Sequence, residues 1–266
     1  MTSDPGVPPQ ADPVLVSRDG PVTVISLNRP SRLNAFDASL RCGLLVALSA
    51  EAADSTCRAV LLRAEGRGFS AGQDLADVAD DADLGHLLTR DYVPLIDCIR
   101  TMPKPVVCAV QGVAAGAGAN LALCCDIVLA GETARFIQAF VRIGLIPDVG
   151  GTWMLPRLIG LARARAVAML GDPITASQAE AWGMIYRAVA DDDLMTVAGA
   201  LALRLTELPA HALGLMKQAF DAAATNDFGQ QLALESDLQT RLGHSADFAE
   251  GRRAFLEKRP PRFNAV

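Results

Sequence analysis

The sequence has 266 residues, of which 51% are apolar and 20% are charged, and its formal net charge is −6. A chain of this length and composition can bury a large core, which predicts one large domain or one domain with an appendage. The acidic balance argues against a nucleic-acid-binding protein, since such a protein needs a basic face. The acidic net charge is still compatible with a small ligand that carries phosphate groups.

The cysteines, histidines and termini indicate a cytoplasmic protein. None of the six cysteines forms a C-x-x-C pair and the three histidines are scattered, so we expect reduced thiols and no metal site. Residues 1–12 lack the features of a signal peptide and are predicted to be a flexible N-terminus. The uncharged run 106–125 is rich in Gly and Ala and contains Gln111 and Asn120, which favours a buried strand, turn and helix over a membrane span.

The first elements along the chain carry clear local signals. The Val- and Ile-rich stretches 13–18 and 22–27 flank Asp19-Gly20, which predicts a β-hairpin. Asp37 then precedes an amphipathic run and is predicted to cap a helix. The later predictions are strands at 59–63, 105–110, 126–130 and 184–189, a mostly helical segment at 83–100 and a short buried helix at 120–125.

From residue 191 onward the pattern is helical almost to the end. Alternating strands and helices followed by helices alone predict an α/β core over 13–190 and a helical region over 191–266. Leu234, Leu238 and Leu242 recur at helical spacing in this region, and such a stripe packs onto its own domain or onto a neighbouring subunit.

The first motif with catalytic potential is GFSAG at 68–72, which matches the G-x-S-x-G pattern of serine hydrolases. Ser70, Asp148 and either His211 or His244 follow the chain order of an α/β-hydrolase triad. A nucleophile elbow, however, needs a strand directly before the serine and a helix directly after it, whereas Ser70 is flanked by loop-forming residues. The serine hydrolase is therefore kept as an alternative.

The glycine-rich segment 112–127 lacks both G-x-G-x-x-G and the Lys-Ser or Lys-Thr of a phosphate loop, so neither type of nucleotide site is expected. It provides either main-chain N–H groups that open a helix or close packing of helix against strand. The segment 66–75, GRGFSAGQDL, has the same small-residue character after a strand. Two such N–H donors converging on one point would form an oxyanion hole.

Six spaced segments together resemble the enoyl-CoA hydratase/isomerase (crotonase) superfamily. They are SLNRPSRLNAFD (26–37), GRGFSAGQDL (66–75), VVCAVQGVAAGAGANLALCCDIVLA (106–130), IGLIPDVGGTWMLPRLIG (143–160), ASQAEAWGMI (176–185) and GRRAFLEKRPPRF (251–263). GAGANLAL and GLIPDVGGTW are most similar to the ring-1,2-epoxyphenylacetyl-CoA isomerases of bacterial phenylacetate breakdown and to related double-bond isomerases. The resemblance implies a superhelix of β-β-α turns, and a homotrimer or dimer of trimers built through the C-terminal helical region.

The resemblance also implies catalytic roles. The main-chain N–H groups of Gln73 and Ala117 would hold a thioester enolate, and Asp148 would act as the acid/base. Phe140, Ile146, Val149 and Trp153 are apolar and close to it in sequence, so desolvation is expected to raise its pKa. The residues alone leave another role open, since an Asp at this place can cap the helix that starts near Gly151.

Hydratases of the superfamily use two glutamates to activate water. Those positions are Asn120 and Phe140 here, so hydration is not expected. A 2-enoyl-CoA hydratase of fatty-acid β-oxidation remains the alternative in another reaction class, and a non-catalytic CoA binder is a further one.

The resemblance implies an acyl-CoA thioester as substrate, with coenzyme A entering as part of it and no tightly bound cofactor. The residues expected to contact this substrate, besides Asn120 and Phe140, are Arg32, Leu33, Ala35, Ala71, Asp74, Leu75 and Lys258. Asp74 is interpreted as a structural cap rather than an acid catalyst. The basic cluster around Lys258 either meets the 3′-phosphate of CoA or is a solvated helix end.

Overall fold

A computed structural model describes residues 12–79 and 81–263. The predicted flexible N-terminus, apart from residue 12, lies outside these described residues. The strands are β1 (Val14–Asp19), β2 (Val22–Leu27), β3 (Ala59–Ala64), β4 (Val106–Val110), β5 (Val113–Ala115), β6 (Ile127–Gly131), β7 (Arg135–Ile137), β8 (Ile174–Thr175) and β9 (Arg187–Val189). The α-helices are α1 (Ala38–Ala53), α2 (Leu84–Leu87), α3 (Val93–Thr101), α4 (Ala117–Leu123), α5 (Gly151–Leu170), α6 (Ala176–Ala181), α7 (Leu194–Thr206), α8 (Ala210–Ala222), α9 (Phe228–Gly243) and α10 (Ala246–Glu257).

The described strands form two sheets. The larger has the order β1-β2-β3-β4-β6-β9, with β1 antiparallel to β2 and the other pairs parallel. The smaller has the order β5-β7-β8 and is continued by two single bridges, Ser70 with Ala114 and Phe36 with Gln73. Successive turns of the chain thus place one strand in the larger sheet and one extended segment in the smaller sheet, with helices between turns. The α/β superhelix of β-β-α turns is confirmed.

Both faces of the larger sheet are covered, which explains why its central strand reads as an unbroken apolar run. In β4, Cys108 and Val110 contribute to the main core cluster, while Val107 and Ala109 contribute to a second cluster on the opposite face. Leu194, Ala198 and Ala202 of α7 fill that second cluster, so the first helix after residue 190 packs directly on the sheet.

Most local predictions agree with the structure. The hairpin is present, with β1 and β2 paired from Val14–Leu27 to Asp19–Val22. Asp37 caps α1, because its Oδ1 accepts a hydrogen bond from the N–H of Leu40. The segment predicted to be mostly helical at 83–100 consists of α2, a π-helical stretch (Leu88–Tyr92) and α3.

The predicted last strand is shorter than expected. Only Arg187–Val189 forms strand, because the N–H groups of Met184 and Ile185 both donate back to the carbonyl of Ala179 at the end of α6. The two side chains are buried in the core by this turn.

The C-terminal helical region contacts the core where α8 packs against α3. Within the predicted leucine stripe Leu238 is buried, while Leu234 and Leu242 are half-buried. Assembly into a trimer through this region stays a prediction. Among the described residues, every helix is too short or too polar to cross a bilayer.

Candidate active site

The segment 70–73 pairs along one edge with Phe36. The N–H of Phe36 donates to the carbonyl of Gly72 at 2.7 Å, and the carbonyl of Phe36 accepts from the N–H of Asp74 at 3.0 Å. Main-chain groups of an extended segment alternate between its two edges. The N–H of Gln73, which lies between these two bonded residues, therefore points away from Phe36.

The opposite edge of this segment faces β5 and the start of α4. The N–H of Ala115 donates to the carbonyl of Ser70 at 2.8 Å. Gly72 has a φ of +91°, and a Cβ placed on it would lie 2.8 Å from the Ala115 oxygen and 3.4 Å from the Ala117 nitrogen. Only glycine fits there, and the close approach brings the Gln73 and Ala117 amides to one side.

The main-chain N–H groups of Gln73 and Ala117 have no protein acceptor among residues 12–79 and 81–263. Ala117 is the first residue of α4, where helical N–H groups lack an intrahelical partner. A pair of unpaired donors on one side of a tight turn can bind an oxygen atom that becomes negatively charged.

Asp148 lies on a loop held by its main chain. Its carbonyl accepts from Asn120 Nδ2 and from the N–H of Gly151, both at 2.8 Å. The carboxyl oxygen Oδ1 is buried and has no hydrogen-bond partner among the described residues. Burial raises the pKa of Asp148 to about 6, because the charged form loses its hydration.

Asp148 does not cap the following helix, so that alternative from the sequence is wrong. The N-cap of α5 is Gly150 in a left-handed conformation, and the helix start has no side-chain cap. The carboxyl of Asp148 is thus left unused by the secondary structure around it.

The two positions where the resemblance leads one to expect hydratase glutamates hold an amide and a phenyl ring. Asn120 is fully buried. Its Oδ1 accepts a hydrogen bond from Gln138 Nε2 at 2.8 Å, and its Nδ2 donates one to the carbonyl of Asp148. Phe140 is buried, and its Cζ lies 3.7 Å from the place of a Cβ on Gly116. Neither side chain can activate water as a carboxylate does.

Tyr92 binds the residue that carries one of the donors. Its hydroxyl donates to Gln73 Oε1 at 2.6 Å. Burial is the main cause that raises the pKa of Tyr92, and the nearby carboxylate of Asp148 adds to it. The amide of Asn120, three residues after Ala117 in α4, also donates to the Asp148 carbonyl, so the loop that bears Asp148 lies against the helix that begins with one of the donors.

The sequence did not point to Tyr92 or Arg41, and only the main chain of Gln73 was expected to have a role. Arg41 Nη1 donates to Gln73 Oε1 at 2.9 Å, across 32 residues of sequence. No short-range pattern signals such a contact, since the spacing is set by the packing of α1 against α3 and the loop before it.

The predicted entrance residues lie together. Arg32 is exposed at the end of a 3₁₀ turn (Pro30–Arg32), and Leu33 follows it in a left-handed conformation with φ of +49°. The carbonyl of Leu33 accepts from the N–H of the exposed Ala71 at 2.8 Å, which joins the first two predicted motifs. Ala35 is buried beneath them.

Asp74 is a structural cap, as interpreted from the sequence. Its Oδ1 accepts from the N–H of Ala76 at 3.2 Å, and its other oxygen pairs with Arg29 at 3.2 Å. The neighbouring Leu75 is exposed on the surface of this turn.

Lys258 is exposed at the end of α10, and no hydrogen bond or ion pair within the described ranges joins its side chain to the site segments. In the same basic cluster, Arg259 and Arg253 pair with Glu250 of this chain at 2.7 and 3.3 Å. Part of the cluster is thus neutralised locally.

The serine-hydrolase alternative does not fit this geometry. Ser70 is fully buried, and its Oγ donates to the carbonyl of Asn34 at 2.8 Å while accepting from the N–H of Gly72 at 3.2 Å. A nucleophile must be reached by its substrate and activated by a base. This hydroxyl instead fastens the turn that carries Gln73.

Of the four apolar residues close to Asp148 in sequence, Phe140 and Val149 are buried. Ile146 is 76% exposed, and the guanidinium groups of Arg157 and Arg100 lie over the Trp153 ring at 3.9 and 4.6 Å from its centroid.

Known proteins share both sequence and fold with this chain. The model of the family described as enoyl-CoA hydratase/isomerase matches residues 17–265. The 1,2-epoxyphenylacetyl-CoA isomerase of Escherichia coli K12 is 49% identical over 247 residues, covering 91% of this chain and 94% of that protein. A probable enoyl-CoA hydratase of Rhodobacter capsulatus is 48% identical over 243 residues, with coverage of 91% and 94%.

Among solved structures, the enoyl-CoA hydratase from Polaromonas sp. JS666 superposes with a TM-score of 0.89 at 33% identity, covering 94% of this chain and 99% of that one. The enoyl-CoA hydratase subunit from Geobacillus kaustophilus HTA426 has a TM-score of 0.91 at 33% identity, covering 96% and 98%. With the family model matching almost the whole chain, this protein belongs to the enoyl-CoA hydratase/isomerase family of the crotonase superfamily and is one of its enzymes.

Proposed function

We propose that this enzyme is an acyl-CoA isomerase that shifts a double bond, or rearranges a ring epoxide, through a thioester enolate. The observation that carries the proposal is the buried Oδ1 of Asp148, which has no hydrogen-bond partner among the described residues, on a loop bonded to the same helix α4 that begins with one of two main-chain N–H groups without a protein acceptor there. The similarity to a 1,2-epoxyphenylacetyl-CoA isomerase supports this reaction class.

The N–H groups of Gln73 and Ala117 would receive the thioester oxygen. Removal of a proton next to the thioester carbonyl places negative charge on that oxygen, and a preorganised donor is worth about 3 kcal/mol in such a site. Main-chain donors held by a sheet bridge and a helix start need no reorganisation during the reaction.

Asp148 would move the proton. With a pKa of about 6 it is mostly deprotonated at neutral pH and holds a proton more firmly than an ordinary carboxylate. It takes the proton from one carbon of the acyl chain, which leaves the enolate, and returns the same proton to another carbon, which restores the thioester carbonyl. The net change is a shifted double bond.

Hydration is the second candidate, since a relative of 48% identity is named as a probable hydratase. Asn120 has both ends of its amide engaged with protein groups, and Phe140 has no polar atom to hold water. These two observations favour isomerisation over hydration.

The substrate class is an acyl-CoA thioester in which coenzyme A is part of the substrate rather than a bound cofactor. The path for its CoA moiety would run along Arg32, Leu33, Ala35 and Ala71, with Lys258 at its outer end. A homotrimer or dimer of trimers in the cytoplasm belongs to the same proposal.

The variant Asp148→Asn tests the proposal with a 3-enoyl-CoA as substrate. We expect kcat to fall by about 10³-fold or more, because the amide cannot accept the proton, while the KM changes little. Asp172→Asn, at an exposed carboxylate with 74% of its side chain accessible, is the matched control and should keep full activity.

Full turnover by Asp148→Asn would remove Asp148 from the mechanism. Hydration of crotonyl-CoA by the wild-type enzyme at rates that match isomerisation would favour the hydratase. Tight binding of an acyl-CoA with no deuterium exchange at carbon 2 would instead indicate a non-catalytic binder.

A further inference from the structure

The side chain of Gln73 is held at both ends of its amide, although only its main chain has a proposed chemical role. Its Oε1 accepts from Tyr92 Oη at 2.6 Å and from Arg41 Nη1 at 2.9 Å. Its Nε2 donates to the carbonyl of Asp74 at 3.1 Å. Three such contacts restrict the Gln73 side chain to one conformation.

Arg41 and Tyr92 together form a clamp on the Gln73 side chain, and Arg41 is its first arm. It is 3% exposed, and the same Nη1 atom also donates to the carbonyl of Phe36 at 3.0 Å, so one nitrogen bridges the two residues of the Phe36–Gln73 bridge. Ion pairs with Asp91 at 3.1 Å and Asp77 at 3.4 Å balance its charge. A buried guanidinium with this many partners has one orientation.

Tyr92 is the second arm. It is 1% exposed and ends the π-helical stretch, which inserts an extra residue into the helical register. One residue changes the direction of a helical side chain by about 100°, so the π-turn decides that the ring points inward. Phe36 packs edge-on against the ring at 6.0 Å and Arg41 lies over it at 5.6 Å.

Neither arm is placed to touch a substrate directly. The hydroxyl proton of Tyr92 is already donated to Gln73, and burial raises its pKa so that the group stays neutral. The positive charge of Arg41 is balanced within the protein. Their shared target is Gln73.

We propose that Arg41 and Tyr92 are positioning residues of the oxyanion hole, which act through the Gln73 side chain to fix the direction of the Gln73 main-chain N–H. The inference rests on the proposed function. Its physical basis is the neighbouring Gly72, whose positive φ leaves the turn without side-chain restraint at that point. A hydrogen bond weakens steeply when its donor no longer points at the acceptor, so the turn needs the clamp beside Gly72.

The variant Tyr92→Phe removes a single oxygen atom and leaves the ring packing in place. We expect kcat for a 3-enoyl-CoA to fall about tenfold with the KM unchanged, since one oxyanion donor is misdirected and not lost. The acidic limb of the pH profile should stay where it is in the wild type, because Asp148 is untouched. The matched control is Tyr186→Phe, at the other tyrosine of the chain, which is 63% exposed and should keep wild-type rates.

A double-mutant cycle decides whether Tyr92 acts through Gln73. Gln73→Ala keeps the main-chain N–H but removes the side chain that the clamp holds, so it should cost about as much as Tyr92→Phe. Adding Tyr92→Phe to Gln73→Ala should then have less than about a twofold further effect. A full tenfold loss in that background, or a displaced pH limb, would overturn the inference.

A second readout separates this inference from the proposed function. A 3-oxoacyl-CoA forms an enolate that is detected by its ultraviolet absorbance, and we expect the wild type to bind it in that form and Tyr92→Phe to bind it about tenfold more weakly. If the wild type isomerises 3-enoyl-CoA and both proteins bind the enolate equally, only the positioning inference fails. If the wild type neither isomerises nor binds the enolate, the proposed function fails and the inference falls with it.

Discussion

The two halves of the site are held in different ways. The donor side, residues 70–75 with 113–117, is fastened by sheet bridges, by the buried Ser70 hydroxyl and by the clamp on Gln73. The acid loop, residues 144–151, is held by hydrogen bonds to its main chain and by the buried Val149 side chain, while the Asp148 Oδ1 has no hydrogen-bond partner among the described residues. A rigid surround suits the main-chain donors, because they must point in one direction. A carboxyl oxygen without a hydrogen-bond partner suits Asp148, because it must bind and release a proton.

Among changes that leave the Asp148 carboxyl in place, the largest expected effect comes from disturbing the donor side at Gly72. Gly72→Ala would place a Cβ 2.8 Å from the Ala115 carbonyl and strain a φ of +91°, so the two donors must separate. We expect kcat/KM for a 3-enoyl-CoA to fall by roughly 10²- to 10³-fold.

The control for this prediction is Gly20→Ala in the hairpin, which has a positive φ of +57° and open space around the added Cβ. It should cost some stability but no activity. Equal activity losses in the two variants would show that backbone strain alone, and not the separation of the donors, explains the effect.

The raised pKa of Asp148 predicts that kcat/KM depends on pH. The pKa of Asp148 is raised to about 6 by desolvation, and the base must be deprotonated in the free enzyme. We therefore expect log kcat/KM to be flat above pH 6 and to fall by about one unit per pH unit below it. Buffers from pH 4.5 to 8.5 with an isomerisation assay would measure this, and a limb near the usual pKa of an aspartate would mean that the carboxyl is hydrated in solution.

A smaller effect is expected from loosening the acid loop. Asn120→Leu removes the donor to the Asp148 carbonyl and leaves Gln138 unpaired, which should cost about 2 kcal/mol of unfolding free energy. We also expect about a tenfold lower kcat, because the carboxyl is less well positioned.

Denaturant unfolding and the isomerisation assay would measure both effects. Asn226→Leu, which removes the amide hydrogen bond to Gln231 in the tail, is the control and should leave kcat unchanged. An Asn120→Leu enzyme with normal kcat and lower stability would show that the loop positions Asp148 without this amide.

The smallest effect is a gain in stability. In the folded state the pKa of Asp148 is raised from an unfolded value of about 4 to about 6, so its burial destabilises the fold increasingly between these two pH values and by a constant amount above pH 6. Asp148→Asn should thus be more stable than the wild type by about 2 kcal/mol at pH 8 and no more stable at pH 4. Urea unfolding at the two pH values would measure the difference, and a variant less stable at pH 8 would contradict a desolvated carboxylate.

The sequence predicted the features that depend on neighbouring residues. Asp19-Gly20 predicted the hairpin, and Asp37 predicted the cap of α1, three residues before Leu40, whose N–H donates to it. Such signals are local, because turn and cap geometry involve only a few consecutive residues. The resemblance supplied Asp148 and the two donors, and their catalytic roles stay predictions.

The clamp could not be predicted in this way. Arg41 and Tyr92 lie 32 and 19 residues from Gln73, and the inward direction of Tyr92 depends on a π-turn that has no sequence pattern of its own. The exposure of Ile146 and the contacts of Trp153 with Arg157 likewise depend on side-chain directions that the sequence of the acid loop does not reveal.

Trp153 gives this enzyme a natural optical reporter. Its indole lies against Arg100, and Arg100 Nη2 bonds to Asp221 of α8 at 2.5 Å, so Arg100 links the first turn of α5, which follows the acid loop, to the C-terminal helical region. The chain has only two tryptophans, and Trp182→Phe would leave a single emitter at this junction. Movement of either part upon ligand binding would then change the fluorescence of unlabelled protein.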